Sequence, residues 1–466
     1  SMAKVIIASL YIAAILVIGF LAGRNVKTAD EFAVANRNIP YWTNVFSMSS
    51  AWIGAGSTLG CASMCYAYGV SGFYLAIGVS IGAILASVVF SGKIREENVS
   101  TIPELVRKHV GAKCANAIAL LSIFSVFSVV ASQIRSLGTI LQMFVPSLSL
   151  LTAIIIMTVV MLIYTVVGGM VAATKTDKLN IGLMVLSVMI ILPIVALVKA
   201  GGLSNIVETL RTSDPAKLQF GKTVGWGTMI SSGLYFGTSG MVNSENFLRV
   251  CGAKNAKEAR GASLTGTLLV YMPYLLFASF IGFAGSALIA DLGTSDSILP
   301  AMINQYTGTV LGAILLAALL AAVMGTAASV TILTSVMLSR DVIGRIKPLD
   351  GKAMLTTQRI CMIVVAALGV IVGYFGSSIV SIMEDIGAPC GAALVPIFCG
   401  LFFWKEKMNA KGTLTTIVVA VVATLGYWLL GSPLGISHFL FGLICSTITM
   451  FVANSIFYKK GEAKAA

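Results

Sequence analysis

Apolar positions along this chain neither alternate nor keep to one helical face. They come in runs of about 20 residues, the length that carries an α-helix across the hydrocarbon of a bilayer. Thirteen runs can be counted, at 4–23, 43–68, 71–92, 115–143, 148–168, 178–200, 226–248, 261–288, 306–338, 356–375, 377–404, 412–431 and 436–458. Backbone at that depth must satisfy its own polar groups, so the pattern predicts an all-α polytopic membrane protein with 13 transmembrane helices. The first run has little positive charge before it and Arg24 and Lys27 after it, the reverse of a cleavable signal, so it is expected to stay as a span.

The loops give an independent check. With the N-terminus outside, the inward segments are 24–42, 93–114, 169–178, 249–260, 339–359, 405–411 and the C-terminal tail. They carry 25 of the 31 Lys and Arg residues, against five outside. That bias orients the chain with its C-terminus in the cytoplasm. It also accounts for the net charge of +13, which would otherwise suggest a nucleic-acid partner. The composition agrees: 57% hydrophobic and 11% charged residues could not solvate a water-soluble enzyme of 466 residues. Eight scattered cysteines and two distant histidines, His109 and His438, form no metal-ligand spacing. No phosphate-binding loop, nucleophile–base pair or signalling domain is evident, so neither an enzyme nor a sensor is expected, and no organic cofactor.

Arg135 is the cation left over, in the middle of the fourth run. A charge there costs about 2.5–3.5 kcal/mol and so must face a partner or a cavity. The other acidic groups in or at the ends of spans are Asp177, Glu245, Glu384 and Asp385.

Two spans are poor as continuous helices. Ser47–Gly60 holds three glycines and five hydroxyl side chains, and each Gly costs roughly 1 kcal/mol against Ala. Ser231–Asn246, in the seventh span, is similar. These two spans each lead a set of five, 2–6 and 7–11. Interrupted helices at matching positions in two halves point to an inverted-repeat binding site. Packing of small residues is the alternative, and Gly56 with Gly60 fits it.

Several motifs are similar to those of the sodium/solute symporter family. They are Asp30–Arg37 before span two, Gly168–Asp177 entering span six, Arg249 with Ala256–Ala259, Ser339–Asp341, and Pro396–Trp404 with Asn409 and Gly412. The resemblance covers nearly the whole chain. It implies a leucine-transporter-type five-plus-five repeat: a leading helix and loop (1–42), repeats at 43–225 and 226–411, and two trailing helices with the tail (412–466). It further implies uptake of a small polar organic solute with sodium, across a cell's inner (plasma) membrane, and is compatible with a functional monomer.

The same resemblance assigns site residues. Backbone carbonyls at Ser50 and Ile53, the Ala322 carbonyl and the Thr326 hydroxyl match the family's sodium ligands, and Asp177 matches the acid on the ion's route. Gly325 stands where the family usually has serine, which removes one oxygen; Ser329 or water could replace it, and proton coupling or no coupling stays open. Trp52, Gly56, Asn243, Glu384 and Arg135 match positions around the solute. An acid and a base beside one cavity would suit a zwitterion or a carboxylate. A buried pair between Arg135 and Glu384 or Asp385, needing no solute, is the other reading.

Overall fold

The computed structural model describes residues 2–24 and 40–458, with the side chains of 22, 23, 50, 164 and 167–180 outside that description. All regular elements among the described residues are helical. In chain order they are α1 (Met2–Gly23), α2 (Tyr41–Trp52), α3 (Cys61–Tyr68), α4 (Tyr74–Leu85), α5 (Ser91–Glu96), α6 (Ile102–Val110) and α7 (Ala112–Phe144). Then follow α8 (Leu150–Leu186), α9 (Leu192–Ala200), α10 (Leu203–Ser213), α11 (Trp226–Ser239), α12 (Ser244–Cys251), α13 (Ala256–Gly266) and α14 (Met272–Leu288). The last are α15 (Ile298–Tyr306), α16 (Thr309–Met337), α17 (Gly351–Phe375), α18 (Ile379–Phe403), α19 (Ala410–Leu429) and α20 (His438–Ile456).

Among the described residues, ten helical stretches are long and apolar enough to cross a bilayer. The difference from the thirteen runs in the sequence has identifiable sources. Spans two and three share one stretch, Gly56–Glu96, because α2 ends early and the rest of span two is continuous with span three. Span five lies in the first part of α8, of which the apolar piece Leu150–Ile163 precedes the residues whose side chains are not described, and span seven is cut into α11 and α12. The expected loop at 169–178 lies within α8, where side chains are not described. Asp177 and the Gly168–Asp177 motif therefore lie outside the described side chains, as the Asp30–Arg37 motif lies outside the described residues.

The bundle is organised around α16, which is apolar on all sides and buried along most of its length. It packs against α1, α7, α8 and α17, and α7 in turn packs on α18. Large apolar side chains such as Ile81, Leu269, Ile363 and Val422 remain exposed on the outside, as a surface facing lipid requires.

Span seven yields a correction. Gly233 and Gly237, counted with the helix-breaking residues, are instead a packing device. A Cβ on Gly237 would stand 2.8 Å from the Gly78 carbonyl, and one on Gly78 would stand 2.6 Å from the Gly233 carbonyl; Gly82 likewise meets the backbone of Gly237. Two small-xxx-small stripes thus bring the α4 and α11 backbones into contact. The chain leaves helical form only at Gly240.

Candidate functional site

Both crossings read as interrupted are interrupted. α2 stops at Trp52, Ile53 and Gly54 leave the helix, and the chain resumes through a π-turn at Gly56–Gly60 into α3. Among the described residues the carbonyls of Ala51 and Ile53 accept no backbone N–H. The break is held by side chains. Ser57 Oγ accepts from the Gly54 N–H (2.9 Å) and donates to the Gly54 carbonyl (3.1 Å), while Gln133 Oε1 accepts from the Ala55 N–H (3.1 Å). A Cβ on Gly54 would stand 2.5 Å from Gln133 Nε2, so a larger residue there would push the carboxamide away from the break.

The second break spans Gly240–Asn243, and the Gly240 and Met241 carbonyls accept no backbone N–H there. Asn243 ends it by capping α12: its Oδ1 accepts from the N–H groups of Glu245 (2.9 Å) and Asn246 (3.0 Å). Its oxygen is therefore committed, and the NH₂ is what Asn243 has left to offer a ligand.

The two breaks face a common cavity of ≈ 160 Å³. Trp52, Gly56, Asn243 and Thr326 line it, so the structure brings four of the expected site residues together. Trp52 packs at 4.9 Å against Tyr271, which also lines the cavity, and the indole N–H has no partner among the described residues. The positions expected around the solute missed Tyr271, which reaches the site from the residue before α14. They also missed Gln133, although a carboxamide in an apolar run two residues from Arg135 was a usable signal.

Thr326 of α16 lines the cavity together with Ala51 and Gly54 of the first break. The Thr326 hydroxyl donates to the Ala322 carbonyl (2.7 Å), and the Thr326 methyl lies 3.6 Å from where a Gly54 Cβ would stand. Neutral oxygens of this kind suit a hard cation. Gly325 adds none, and the Ser329 hydroxyl donates to the Gly325 carbonyl (3.0 Å), outside the cavity lining. Ile53 is buried, and Ser50 lies on the last turn of α2.

Arg135 and Glu384 are placed elsewhere. Neither is part of the cavity lining, and they do not pair with each other. Arg135 Nε donates to Asp296 (3.3 Å), Nη1 to the Gly373 and Gly376 carbonyls (3.1 and 2.7 Å), and Nη2 to the Ser377 carbonyl (3.4 Å). Asp296, wholly buried, also accepts from the Ser63 hydroxyl (3.1 Å) and the Ile379 N–H (3.3 Å). The buried pair considered in the sequence exists, but its acid is neither Glu384 nor Asp385. Asp296 escaped because it sits between spans, in the connection that leads into α15. Glu384 accepts from the Ser232 hydroxyl (3.1 and 2.9 Å), and Asp385 lies 3.7 Å from His438.

A second charged cluster ties the two interrupted crossings together on one side of their breaks. Arg249 on α12 donates to the Ser47 carbonyl of α2 (2.8 Å), to the Ser47 hydroxyl, and to Glu245 (2.9 Å), which lines the cavity.

Known proteins are similar to this chain in sequence and in fold. The chain is 23% identical to the high-affinity proline transporter PutP of Bacillus subtilis (strain 168), covering 96% of this chain and 97% of the relative. It is 23% identical to the sodium/proline symporter of Escherichia coli (strain K12), over 98% and 93%. Its fold matches a substrate-bound, outward-open Na⁺-coupled sialic acid symporter with a TM-score of 0.78 at 18% identity, covering 100% of this chain and 98% of the other. Residues 32–420 match the Sodium:solute symporter family, most of the chain, and the protein belongs to that family.

Proposed function

We propose that this chain carries a small polar organic solute across the membrane together with sodium, by alternating access. The observation that carries the reading is that both broken crossings open onto one cavity, with carbonyls at each break that accept no backbone N–H among the described residues and Thr326 lining the same cavity. Sodium would bind among the Ser50, Ile53 and Ala322 carbonyls and the Thr326 hydroxyl, with Asp177 on its route. The solute would lie against Trp52, Gly56 and Asn243, joined by Tyr271 and Gln133. In this reading thirteen crossings form a leading helix, the repeats 43–225 and 226–411, and two trailing helices. The N-terminus is outside and the C-terminus in the cytoplasm, as the distribution of Lys and Arg supports.

Proline and sialic acid, named for the relatives, both carry a carboxylate, and a zwitterion or carboxylate is the solute class proposed here. Arg135 is engaged by Asp296, so the carboxylate donors are the unpaired Trp52 indole N–H and the Asn243 NH₂. The aromatic pair Trp52–Tyr271 then offers its faces to the cationic end. Coupling follows because each ligand stabilises the same closed arrangement of the breaks, and binding free energies are reciprocal.

Uptake into proteoliposomes under an inward sodium gradient tests the proposal, with a panel of amino acids, betaines, sugars and carboxylates. Absence of sodium-stimulated flux for every member refutes it. Gly325 and the Glu384 carboxylate, bonded among the described residues only to Ser232, favour a second reading in which a proton drives the cycle. Alkalinisation outside sodium-free vesicles on adding solute would establish that one instead.

A further inference from the structure

A groove far from the cavity carries a ligand signature of its own. It runs between α5 and α13, with a volume of about 600 Å³, and Lys93, Lys257, Arg260 and Glu96 line it beside Val88 and Leu264. Three cations face one carboxylate. All three are exposed, and Lys257 and Arg260 make no hydrogen bond or ion pair among the described residues. Concentrating unpaired positive charge in a concavity is unfavourable unless an anion neutralises it.

The groove's apolar flank says which anion. Lys93 Nζ sits 4.2 Å over the ring of Phe403, an exposed aromatic at the end of α18. An aromatic ring there, next to a lysine and at the end of a crossing helix, marks the level of the lipid headgroups. From that level exposed Ile81 and Leu85 on α4, and Leu268 and Leu269 at the turn between α13 and α14, continue as an apolar wall. Gly92 and Gly261 complete the lining between the two helices. A polar, cationic cup that passes into a lipid-facing wall fits a molecule with an anionic head and acyl chains.

We propose that this groove binds the phosphate headgroup of an anionic phospholipid, with Lys257 and Arg260 on the phosphate oxygens and the acyl chains along α4 and the α13–α14 turn. Basic pockets between crossing helices are the recurring solution for such headgroups. The bound lipid would brace α13, whose Thr265 is hydrogen-bonded to Tyr41 of α2 (2.8 Å) and whose continuation carries Tyr271 into the cavity.

The test is native mass spectrometry of the full chain released from nanodiscs of equal phosphatidylglycerol and phosphatidylcholine. Wild type is expected to retain phosphatidylglycerol selectively, and the K257Q/R260Q variant to retain it less by on the order of tenfold, given the contribution of each cation near a charged headgroup. Both positions are exposed; the single variants, each expected to lose part of the retention, carry the test should the double fail to express. K113Q removes an exposed cation outside the groove and should retain as wild type does. Equal retention of the two lipids, unchanged retention in K257Q/R260Q, or an equal loss in K113Q overturns the proposal. So does inorganic phosphate that protects the detergent-purified chain from heat as well as short-chain phosphatidylglycerol does, since the site would then be one for free phosphate.

Discussion

The Arg135–Asp296 pair allows a prediction whose size and order come from geometry. In R135M, Asp296 keeps the Ser63 hydroxyl and the Ile379 N–H but holds a wholly buried charge with no counter-ion. Breaking a buried pair in this way costs about 3–5 kcal/mol. In D296N, the guanidinium keeps three backbone carbonyls, at 3.1, 2.7 and 3.4 Å. That variant forfeits mainly one charge-assisted hydrogen bond, about 1.5–3 kcal/mol. R135M should therefore be the more damaging of the two. The double variant should cost less than the sum of the singles, by about 1–3 kcal/mol. Chemical unfolding in mixed micelles measures the three differences, with uptake per folded molecule measured alongside. Strict additivity, or D296N worse than R135M, refutes the pairing as the reason Arg135 sits at that depth. Uptake separates the two roles of the arginine: as a structural partner its loss lowers uptake only in step with folded protein. An arginine gripping the solute would abolish uptake in R135M and leave it intact in D296N.

Further outcomes follow from other contacts. T326V keeps the shape and removes the oxygen beside the first break; the sodium needed for half-maximal uptake should rise about 10- to 100-fold, as loss of a hydrogen-bond-strength contact to a charge implies, and an unchanged sodium dependence excludes Thr326 as a ligand. G54A should lower uptake at least about tenfold, because a 2.5 Å approach to Gln133 cannot be accommodated in place, and Q133A should restore part of it; G54A with normal uptake contradicts the account of the break. Acid should loosen the loop around Glu97, and the sign is the same for both groups there. Burial lowers the His109 pKa despite its 3.0 Å contact with Glu97, so its contribution is present above about pH 6.5 and declines as pH falls from there. Burial of Glu97 is outweighed by hydrogen bonds from Lys108 and His109, which hold its pKa below 4.5, and its contribution is lost only as pH falls further. H109Q should abolish the first decline and E97Q the second; hydrogen exchange at residues 97–110 reads both.

The helical class and the two interruptions were legible because both follow from local chemistry: runs of apolar residues, then glycine clustered with hydroxyls. The contacts around Arg135 and Trp52 were not legible, because they join residues far apart in the chain. Arg135 announced that it needed a partner, yet nothing in 289–300 marked Asp296 as that partner over Glu384. The same composition also served two purposes in span seven. Gly240 lies where the helix ends, but Gly233 and Gly237 lie where another backbone passes, and only the neighbour distinguishes the two. Asn243 illustrates the point at the level of one side chain: its place at the break was predictable, while the loss of its oxygen to α12 depends on the turn that follows.

The glycine contact between α4 and α11 constrains how the molecule can move. Backbones in direct contact have no side chains to act as rollers, so these two helices travel as one body. The half of the seventh crossing before Gly240 is thereby anchored to the third, and rotation in that crossing is left to α12, which Arg249 fastens to α2. Spin labels at the exposed positions 81 on α4 and 230 on α11 should keep their separation when sodium or solute is added, whereas labels on α11 and α12 should not.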